Sequence, residues 1–207
     1  ARFFKPAYSI FLINKWLPSI KGAVAILTRG GSFADIGCGF GHSTTMIAEQ
    51  FPQSSIRGID PHEQSIHEAR KMAEQKNLNN LTYEIASAEN YTGEYDIISF
   101  FDCLHDMGDP VAAVSYAKTK LKAGGALMII EPYADDEVSK NFNIIGQMYY
   151  SFSTIACVPA SKSQEGGLAL GAQAGLKKLT NVLNNGGFSQ VEMTYKTASN
   201  MVIEARV

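Results

Sequence analysis

The sequence is short of cysteine, and the few cysteines it has are not arranged in pairs. They are three in number and widely spaced, at Cys38, Cys103 and Cys157, so they predict no disulfide framework and favour a reducing cytoplasm. No CxxC or HxxxH pair occurs. Local spacing therefore predicts no zinc site, and no metal is expected.

An excess of charge of one sign and long apolar runs are missing as well. The formal net charge is −2, so neither nucleic acid nor an anionic membrane surface is an expected partner. No window reaches the roughly 18 apolar residues that a membrane helix needs. The apolar start of the chain is interrupted by Lys15, Pro18 and Lys21, which argues against a signal peptide.

Strands and helices alternate along most of the 207 residues, a length that suits about one domain. Short apolar runs predict strands at residues 32–37, 55–60, 81–86, 95–101 and 125–131. Helical patterns lie between them at residues 43–51, 61–77 and 109–122. After a helix at 175–188, residues 189–207 predict a hairpin. The pattern favours an α/β fold, doubly wound and mostly parallel, with seven strands, an antiparallel C-terminal strand and helices on both faces.

Smaller signals fix the ends of some elements. Ser43 or Thr44 is predicted to cap the helix at 43–51, and Gly124 to close the helix at 109–122. A helix at residues 9–17 is expected to lean on the domain without joining its sheet. Residues 133–152 are predicted to be mostly helical and residues 157–171 to be a loop.

The stretch ADIGCGFGHST, residues 34–44, is a glycine loop between a strand and a helix, a place where backbone N–H groups meet a ligand. Gly37, Gly39 and Gly41 follow G-x-G-x-G spacing, and His42 stands where a dinucleotide fingerprint needs a small residue. The Asp35 carboxylate would repel a pyrophosphate but suits an ammonium group. S-adenosylmethionine carries an ammonium and a sulfonium and no phosphate.

Other candidate residues follow the later strands. Asp60 ends the second strand, where an acid can accept both hydroxyls of a ribose. ASAEN, residues 86–90, follows the third strand, where a side chain of Ser87 or Glu89 and the Ala88 N–H can read an adenine edge. After the fourth strand, His105 and Asp106 are expected beside the transferred group, with His105 as a general base or as a residue that orients the loop.

Four segments in order, FADIGCGFG, GIDPHEQSIHEAR, YDIISFFDCLHDM and LKAGGALMIIEP, resemble the successive motifs of class I S-adenosylmethionine-dependent methyltransferases. The resemblance implies a Rossmann-like fold with an antiparallel seventh strand, S-adenosylmethionine as cofactor and S-adenosylhomocysteine as product. It places Asp35 and the loop Gly37, Cys38, Gly39 and Gly41 at the methionine moiety, Asp60 at the ribose, Pro61 on adenine, Ser87 with Ala88 at the adenine edge, and Phe101 near the sulfonium. Ser87 stands where many relatives have Asp, so that contact is also assigned to Glu89.

The predicted reaction is in-line transfer of a methyl group to a small-molecule acceptor, by residues 30–207 as a methyltransferase domain. Residues 1–29 are a helical segment before it, and residues 132–172 an insertion that forms an acceptor wall or lid. Its aromatic residues Tyr133, Tyr149, Tyr150 and Phe152 either pack on the sheet or line the acceptor pocket. Glu131 and Glu165 are candidates to polarise an acceptor.

A narrower resemblance links CLHDMGDP, FNIIG and GLALGAQAGLKKL to bacterial methyltransferases that carry an N-terminal winged-helix-like domain. Since the sequence begins at Ala1, it is then expected to be the catalytic part of such a protein, and a homodimer is a possible state. Two alternatives stay open: a module that senses S-adenosylmethionine without catalysis, and a nicotinamide-dependent oxidoreductase, against which Asp35 and His42 argue.

Overall fold

The computed structural model describes residues 4–207, and they form one seven-stranded sheet. The strands are β1 Ser32–Ile36, β2 Ser55–Asp60, β3 Leu81–Ile85, β4 Tyr95–Phe101, β5 Leu121–Pro132, β6 Gln190–Lys196 and β7 Asn200–Arg206. Their order is β3-β2-β1-β4-β5-β7-β6. Strands β1 to β5 are parallel, and β7 runs antiparallel between β5 and β6. The predicted fold class is confirmed.

Helices connect the strands and cover the sheet. An N-terminal helix runs through Lys5–Ala7, Tyr8–Trp16 and Leu17–Ser19, with π-helical hydrogen bonds in its middle segment, and Ala23–Thr28 follows it. The crossover helices are His42–Gln50, Glu63–Gln75 and Pro110–Lys120. After β5 come the 3₁₀ turn Val138–Asn141, the helical segments Ile144–Phe152, Ser153–Cys157 and Val158–Lys162, and the helix Gly175–Asn185.

Two apolar clusters lie on opposite faces of the sheet. One packs the N-terminal helix, through Leu12 and Trp16, against Phe33 of β1. The other packs Val114 and Leu183, from the helices Pro110–Lys120 and Gly175–Asn185, against the opposite face. Alternate residues of each inner strand therefore reach different clusters. This arrangement confirms that helices cover both faces, and that the first helix leans on the domain.

The sheet order reverses direction at β1, which pairs with β2 on one side and with β4 on the other. In such sheets, ligands bind in the crevice beyond the carboxyl ends of the strands at this switch point. The loops after β1, β2, β4 and β5 therefore define where the site lies.

Three predicted boundaries were wrong. The helix after β1 begins at His42, capped by Gly41 with φ of 71°, because the Ser43 and Thr44 hydroxyls are bonded to Asp35 instead. The helix Pro110–Lys120 ends before Gly124, which lies inside β5. Residues 157–162 are helical where a loop was predicted, because contacts distant in sequence hold them: the Ser161 hydroxyl donates to the Met107 carbonyl at 2.7 Å.

Within the described residues, no helix combines the length and apolar character needed to cross a bilayer.

Candidate active site

The glycine loop after β1 is held against the end of β2 by its own N–H groups. The Gly37 and Cys38 N–H groups both donate to the Ile59 carbonyl, at 2.8 and 3.1 Å. The Gly39 N–H donates to Oδ2 of Asp60 at 2.9 Å. Gly37 and Gly39 have φ of 71° and 53°, a conformation that side-chain-bearing residues adopt only with strain. The loop is thus fixed in a shape that glycine permits.

A cavity of about 220 Å³ lies beside this loop. Its walls are residues 37–40 of the loop, Phe4 and Tyr8 of the N-terminal segment, and residues 101–103 at the end of β4. His42 and Ser43 complete the wall at the start of the following helix. The sequence predicted Gly37, Cys38, Gly39 and Phe101 for the cofactor site, and all four border this cavity.

The glycines show that the loop is open to a ligand on one side and packed on the other. A Cβ placed on Gly39 would meet no atom within 4 Å, whereas one on Gly41 would lie 2.2 Å from the Tyr83 hydroxyl. Gly39 therefore faces open space beside the cavity and Gly41 faces the core.

We expect the two glycines to respond differently to alanine. Gly41→Ala should lower the free energy of unfolding by about 2–4 kcal/mol, since it combines left-handed strain with overpacking against Tyr83. Gly39→Ala should cost only the strain, about 1–2 kcal/mol, yet weaken S-adenosylmethionine binding at least ~10-fold because its methyl group occupies the ligand's space. Urea unfolding and calorimetry measure both. Equal effects of the two variants on binding would contradict the assignment of Gly39 to the ligand side of the loop and Gly41 to the core side.

Asp35 lies under the loop and not on the cavity surface. Its side chain is fully buried, and the Ser43, Thr44 and Ser99 hydroxyls donate to it at 2.7, 2.7 and 3.3 Å. Burial raises the pKa of Asp35 to about 6, although the three hydroxyls favour the carboxylate form. Its predicted contact with the methionine moiety stays a prediction. Through the Ser43 and Thr44 hydroxyls, Asp35 also fixes the first turn of the helix His42–Gln50.

Asp35→Asn is expected to change how stability depends on pH. Because the pKa rises from 3.8 to about 6 on folding, the native state holds an extra proton between those pH values. The favourable contribution of this proton to the free energy of unfolding is therefore complete below pH 3.8, and it is lost as the pH rises through about 6. At about 1.4 kcal/mol per pKa unit, the loss is about 3 kcal/mol. The variant cannot ionise and should gain that amount relative to the wild type between pH 4 and pH 7.

Urea unfolding at the two pH values measures the difference. Glu94→Gln replaces an exposed acid and serves as the matched control, with no change in the difference expected. A difference between Asp35→Asn and the wild type that stays constant with pH would contradict the prediction.

Asp60 stands beside the loop with both carboxylate oxygens engaged by backbone. Oδ2 accepts from Gly39 and Oδ1 accepts from the His62 N–H at 2.8 Å. A carboxylate has about four lone-pair positions, so two remain for ribose hydroxyls. The side chain is half-buried at the carboxyl end of β2, and its contact with a ribose stays a prediction.

The predicted adenine contacts lie on the loops that follow β2 and β3. Pro61 is exposed directly after Asp60. Ser87 and Ala88 are half-buried and Glu89 is exposed in the turn after β3. The Glu89 N–H donates to the Ser87 hydroxyl at 3.2 Å, and the Ser87 N–H donates to Asn90 at 2.8 Å. These residues share the carboxyl edge with Asp60 but do not border the 220 Å³ cavity, so their role stays a prediction.

Asp102 joins three distant segments at the floor of the cavity. It adopts φ of 50°, and its carboxyl accepts from the Tyr8 hydroxyl at 2.8 Å and from the Asn200 amide at 3.0 Å. Burial, reinforced by the charge of Glu131, raises the pKa of Asp102 to about 8. Sequence reasoning missed Tyr8 and Asn200, because nothing local in the sequence links them to the site.

His105 is buried in a polar cluster at the carboxyl ends of β4 and β5. Its Nδ1 bonds to Oε2 of Glu131, and the Glu131 side chain is 2% exposed. Its Nε2 lies 3.2 Å from Oδ1 of Asp106, and the Cys157 thiol also bonds to its ring. Burial alone lowers the pKa of His105, but Glu131, Cys157 and Asp106 together raise it well above its ordinary value. The predicted pair His105 and Asp106 is therefore extended by Glu131 and Cys157.

The aromatic residues of the insertion divide between packing and exposure. Tyr149 is buried, and its hydroxyl donates to the Ser199 carbonyl at 2.9 Å. Tyr133 lies under the Lys196 ammonium. Tyr150 and Phe152 are 38% and 40% exposed. Tyr149 thus packs inside the insertion with Cys157 and Ala172, and Tyr133 packs against a cluster of the sheet. Glu165 is an exposed side chain outside the His105 cluster.

Comparison with known proteins places this geometry in a family. The model of the family described as a methyltransferase domain matches residues 27–187, which is more than half of the chain. The ubiquinone biosynthesis O-methyltransferase of Acinetobacter baylyi is 28% identical over 129 residues, 59% of this chain and 51% of that protein. The chain therefore spans about half the length of the curated relatives it matches first.

Solved structures share the fold. An O-methyltransferase family protein from Burkholderia thailandensis superposes with a TM-score of 0.73 at 16% identity, over 99% of this chain and 56% of that one. Human N-acetylserotonin methyltransferase, solved in complex with S-adenosylmethionine, gives 0.69 at 16% identity, over 99% and 55%. S-adenosylmethionine is the cofactor of the family. With the family match to residues 27–187, the chain belongs to the class I S-adenosylmethionine-dependent methyltransferases.

Proposed function

We propose that the chain transfers the methyl group of S-adenosylmethionine to an oxygen atom of a small-molecule acceptor. One observation carries this proposal: a buried pair, His105 after β4 and Glu131 near the end of β5, lies at the edge of the sheet where the open glycine loop and Phe101 border a cavity. The proposed proton-handling group thus lies at the same edge of the sheet as the proposed cofactor site, two residues beyond the cavity-lining Cys103. The oxygen acceptor is supported by the relative named an O-methyltransferase.

The chain's own residues account for cofactor binding. Gly37 and Gly39 let the backbone approach the methionine part, Asp60 accepts from the ribose, and Phe101 forms an apolar wall near the sulfonium. Bound S-adenosylmethionine supplies a methyl group on a sulfonium, which an aligned nucleophile can attack directly. Alignment of two reactants can supply roughly 7–11 kcal/mol of barrier reduction, and a loop pinned at Ile59 and Asp60 holds one of them still.

His105 is the residue that handles the acceptor's proton. Glu131 occupies Nδ1 and orients the ring, so Nε2 is the nitrogen left to act. Glu131 also stabilises the positive charge of the imidazole and so raises the pKa of His105, which means that a ring accepts the acceptor's proton only after it has lost its own proton from Nε2. Asp106, beside Nε2, orients an acceptor hydroxyl. This division makes His105 and Asp106 the proposed catalytic residues and Glu131 a positioning residue.

The insertion at residues 132–172 is proposed as the acceptor wall. It contributes Cys157 to the His105 cluster, and it follows β5 directly at the carboxyl edge. Tyr150 and Phe152 present aromatic surface from the same insertion. An acceptor with an apolar, flat body suits such a wall.

Transfer of a labelled methyl group tests the proposal. The protein is incubated with S-adenosylmethionine labelled on the methyl group and a metabolite extract, and the labelled product is identified by mass spectrometry. We expect label on the oxygen of a small molecule. Tight binding of S-adenosylmethionine without transfer to any acceptor would overturn the proposal and favour a sensor. Binding of NAD(H) instead would overturn the cofactor site as well.

A further inference from the structure

Three donor atoms of different chemistry converge beside the proposed site. Nε2 of His105, a carboxylate oxygen of Asp106 and Sγ of Cys157 all lie within 4.8 Å of one another. Imidazole nitrogen, carboxylate oxygen and thiolate sulfur are the ligand types that Zn²⁺ takes at about 2.0–2.3 Å, so atoms at the upper end of that spread would have to draw together to share one ion. Cys157 and His105 are buried, and Asp106 is half-exposed.

The environment of His105 is that of a metal ligand. Glu131 bonds to Nδ1, and its other oxygen, Oε1, accepts from the His105 backbone N–H at 3.3 Å. Such a carboxylate on the far nitrogen fixes the ring so that the remaining nitrogen points at the metal. Glu131 is itself buried in β5, which makes the orientation rigid.

One buried atom of the cluster has no hydrogen-bond partner among the described residues. This atom is Oδ1 of Asp106, although Nε2 of His105 lies 3.2 Å away. The Cys157 thiol is bonded to the same ring. The unpartnered carboxylate oxygen and the sulfur thus lie beside one imidazole ring. One divalent cation would satisfy the nitrogen, the oxygen and the sulfur together.

We propose that His105, Asp106 and Cys157 form a binding site for a divalent transition metal of the zinc type, backed by Glu131. Binding displaces the thiol proton of Cys157 and the second ring proton of His105 to the solvent, so the ion meets a thiolate, a carboxylate and a neutral imidazole. Three protein ligands leave a fourth position, as in catalytic zinc sites. The ion would also tie the insertion, through Cys157, to the turn Leu104–Asp106.

One consequence rests on the proposed function. An acceptor hydroxyl that binds at the fourth position would lose its proton more readily, so the ion would take over the activation assigned above to the free His105 ring. Local spacing missed this site, because 51 positions of sequence separate Asp106 from Cys157 and neither CxxC nor HxxxH is involved.

Metal analysis of the purified chain tests the proposal. After exposure to Zn²⁺ and dialysis, the wild type should retain about one zinc ion per chain, as a site with three protein ligands predicts. Cys157→Ala and Asp106→Asn should each lose most of it. His67→Ala is the matched control, because His67 also lies beside a carboxylate, Glu63, at 3.4 Å, but on the surface. It should retain the zinc of the wild type.

Cobalt gives a readout specific for the sulfur. Co²⁺ added to the wild type should produce a thiolate-to-cobalt charge-transfer band that Cys157→Ala lacks. Circular dichroism and S-adenosylmethionine binding confirm that each variant folds, and Asp106→Asn, on a half-exposed side chain, keeps the test available if Cys157→Ala does not. Thermal unfolding should show zinc stabilising the wild type but neither variant.

The proposal falls if the wild type retains no zinc, if the two ligand variants retain as much as the wild type, or if cobalt binds without the charge-transfer band. Its failure is separable from that of methyl transfer. If methyl transfer survives complete removal of metal, the proposed function holds and the ion has no part in the reaction. If these residues bind zinc but the protein transfers no methyl group, the metal site holds and the proposed function does not.

Discussion

Replacing Asp60 by alanine is expected to weaken S-adenosylmethionine binding by about 10²- to 10⁴-fold, the largest effect of any change in the proposed cofactor site. A hydrogen bond to a charged group contributes about 1.5–3 kcal/mol. The alanine variant would lack the two such bonds that the Asp60 carboxylate is proposed to accept from the ribose hydroxyls. The variant also releases the Gly39 N–H, which donates to Oδ2 at 2.9 Å, and so loosens the loop. Titration calorimetry with S-adenosylmethionine and with S-adenosylhomocysteine measures the loss.

Glu63→Ala is the matched control for this variant. Glu63 is an exposed acid three positions further along, at the start of the helix Glu63–Gln75. Its removal should leave the dissociation constant unchanged. Asp60→Asn is informative as well, since it keeps one acceptor oxygen and should lose less affinity than alanine. A dissociation constant unaffected by Asp60→Ala would refute the assignment of this edge to the ribose.

His105→Gln is expected to lower kcat by about 10²–10⁴-fold, the range that loss of a positioned acid–base group gives. Glutamine can still bond to Glu131, so the buried carboxylate keeps a partner and the fold is preserved. Since His105 is not among the cavity-lining residues, affinity for S-adenosylmethionine should change less than about twofold. Steady-state kinetics with the acceptor identified by label transfer measures kcat, and calorimetry measures binding.

His67→Gln controls for removal of a histidine as such, because His67 is about half exposed on the helix Glu63–Gln75. It should keep the kcat of the wild type. Glu131→Gln tests the positioning role, and we expect it to reduce kcat by less than His105→Gln while leaving S-adenosylmethionine binding intact. A His105→Gln enzyme with undiminished kcat would show that alignment alone carries the reaction.

The fold was predictable because strong local signals and global packing agree. The strand at 55–60 and the strand at 95–101 were predicted with the bounds that the structure shows, since each is an apolar run followed by an acid or a polar turn. Two short strands separated by a tight turn predicted the terminal hairpin. A hairpin at this end of a parallel sheet requires one antiparallel strand, which is β7. Ser43 and Thr44 failed as caps because a buried carboxylate, Asp35, competes for their hydroxyls.

The site was predictable only where its residues lie next to a motif. Gly37, Cys38, Gly39 and Phe101 came from the ends of recognisable strands, and all four border the cavity. Cys157 contacts His105 from a helical segment without a periodic signal. Tyr8 and Asn200 reach Asp102 across 94 and 98 positions. Side chains that meet only through tertiary packing have no characteristic spacing in the sequence, so a sequence motif cannot identify them.

The junction at Asp102 has a consequence for the order in which the molecule is made. Its two partners lie on the first helix and on the last strand, so the floor of the cavity is complete only after Asn200 has left the ribosome and β7 has inserted between β5 and β6. Contacts of such long sequence separation form late, because closing long loops costs entropy first. A nascent chain that already displays its glycine loop would thus have a cavity whose floor still lacks the bond from Asn200 to Asp102.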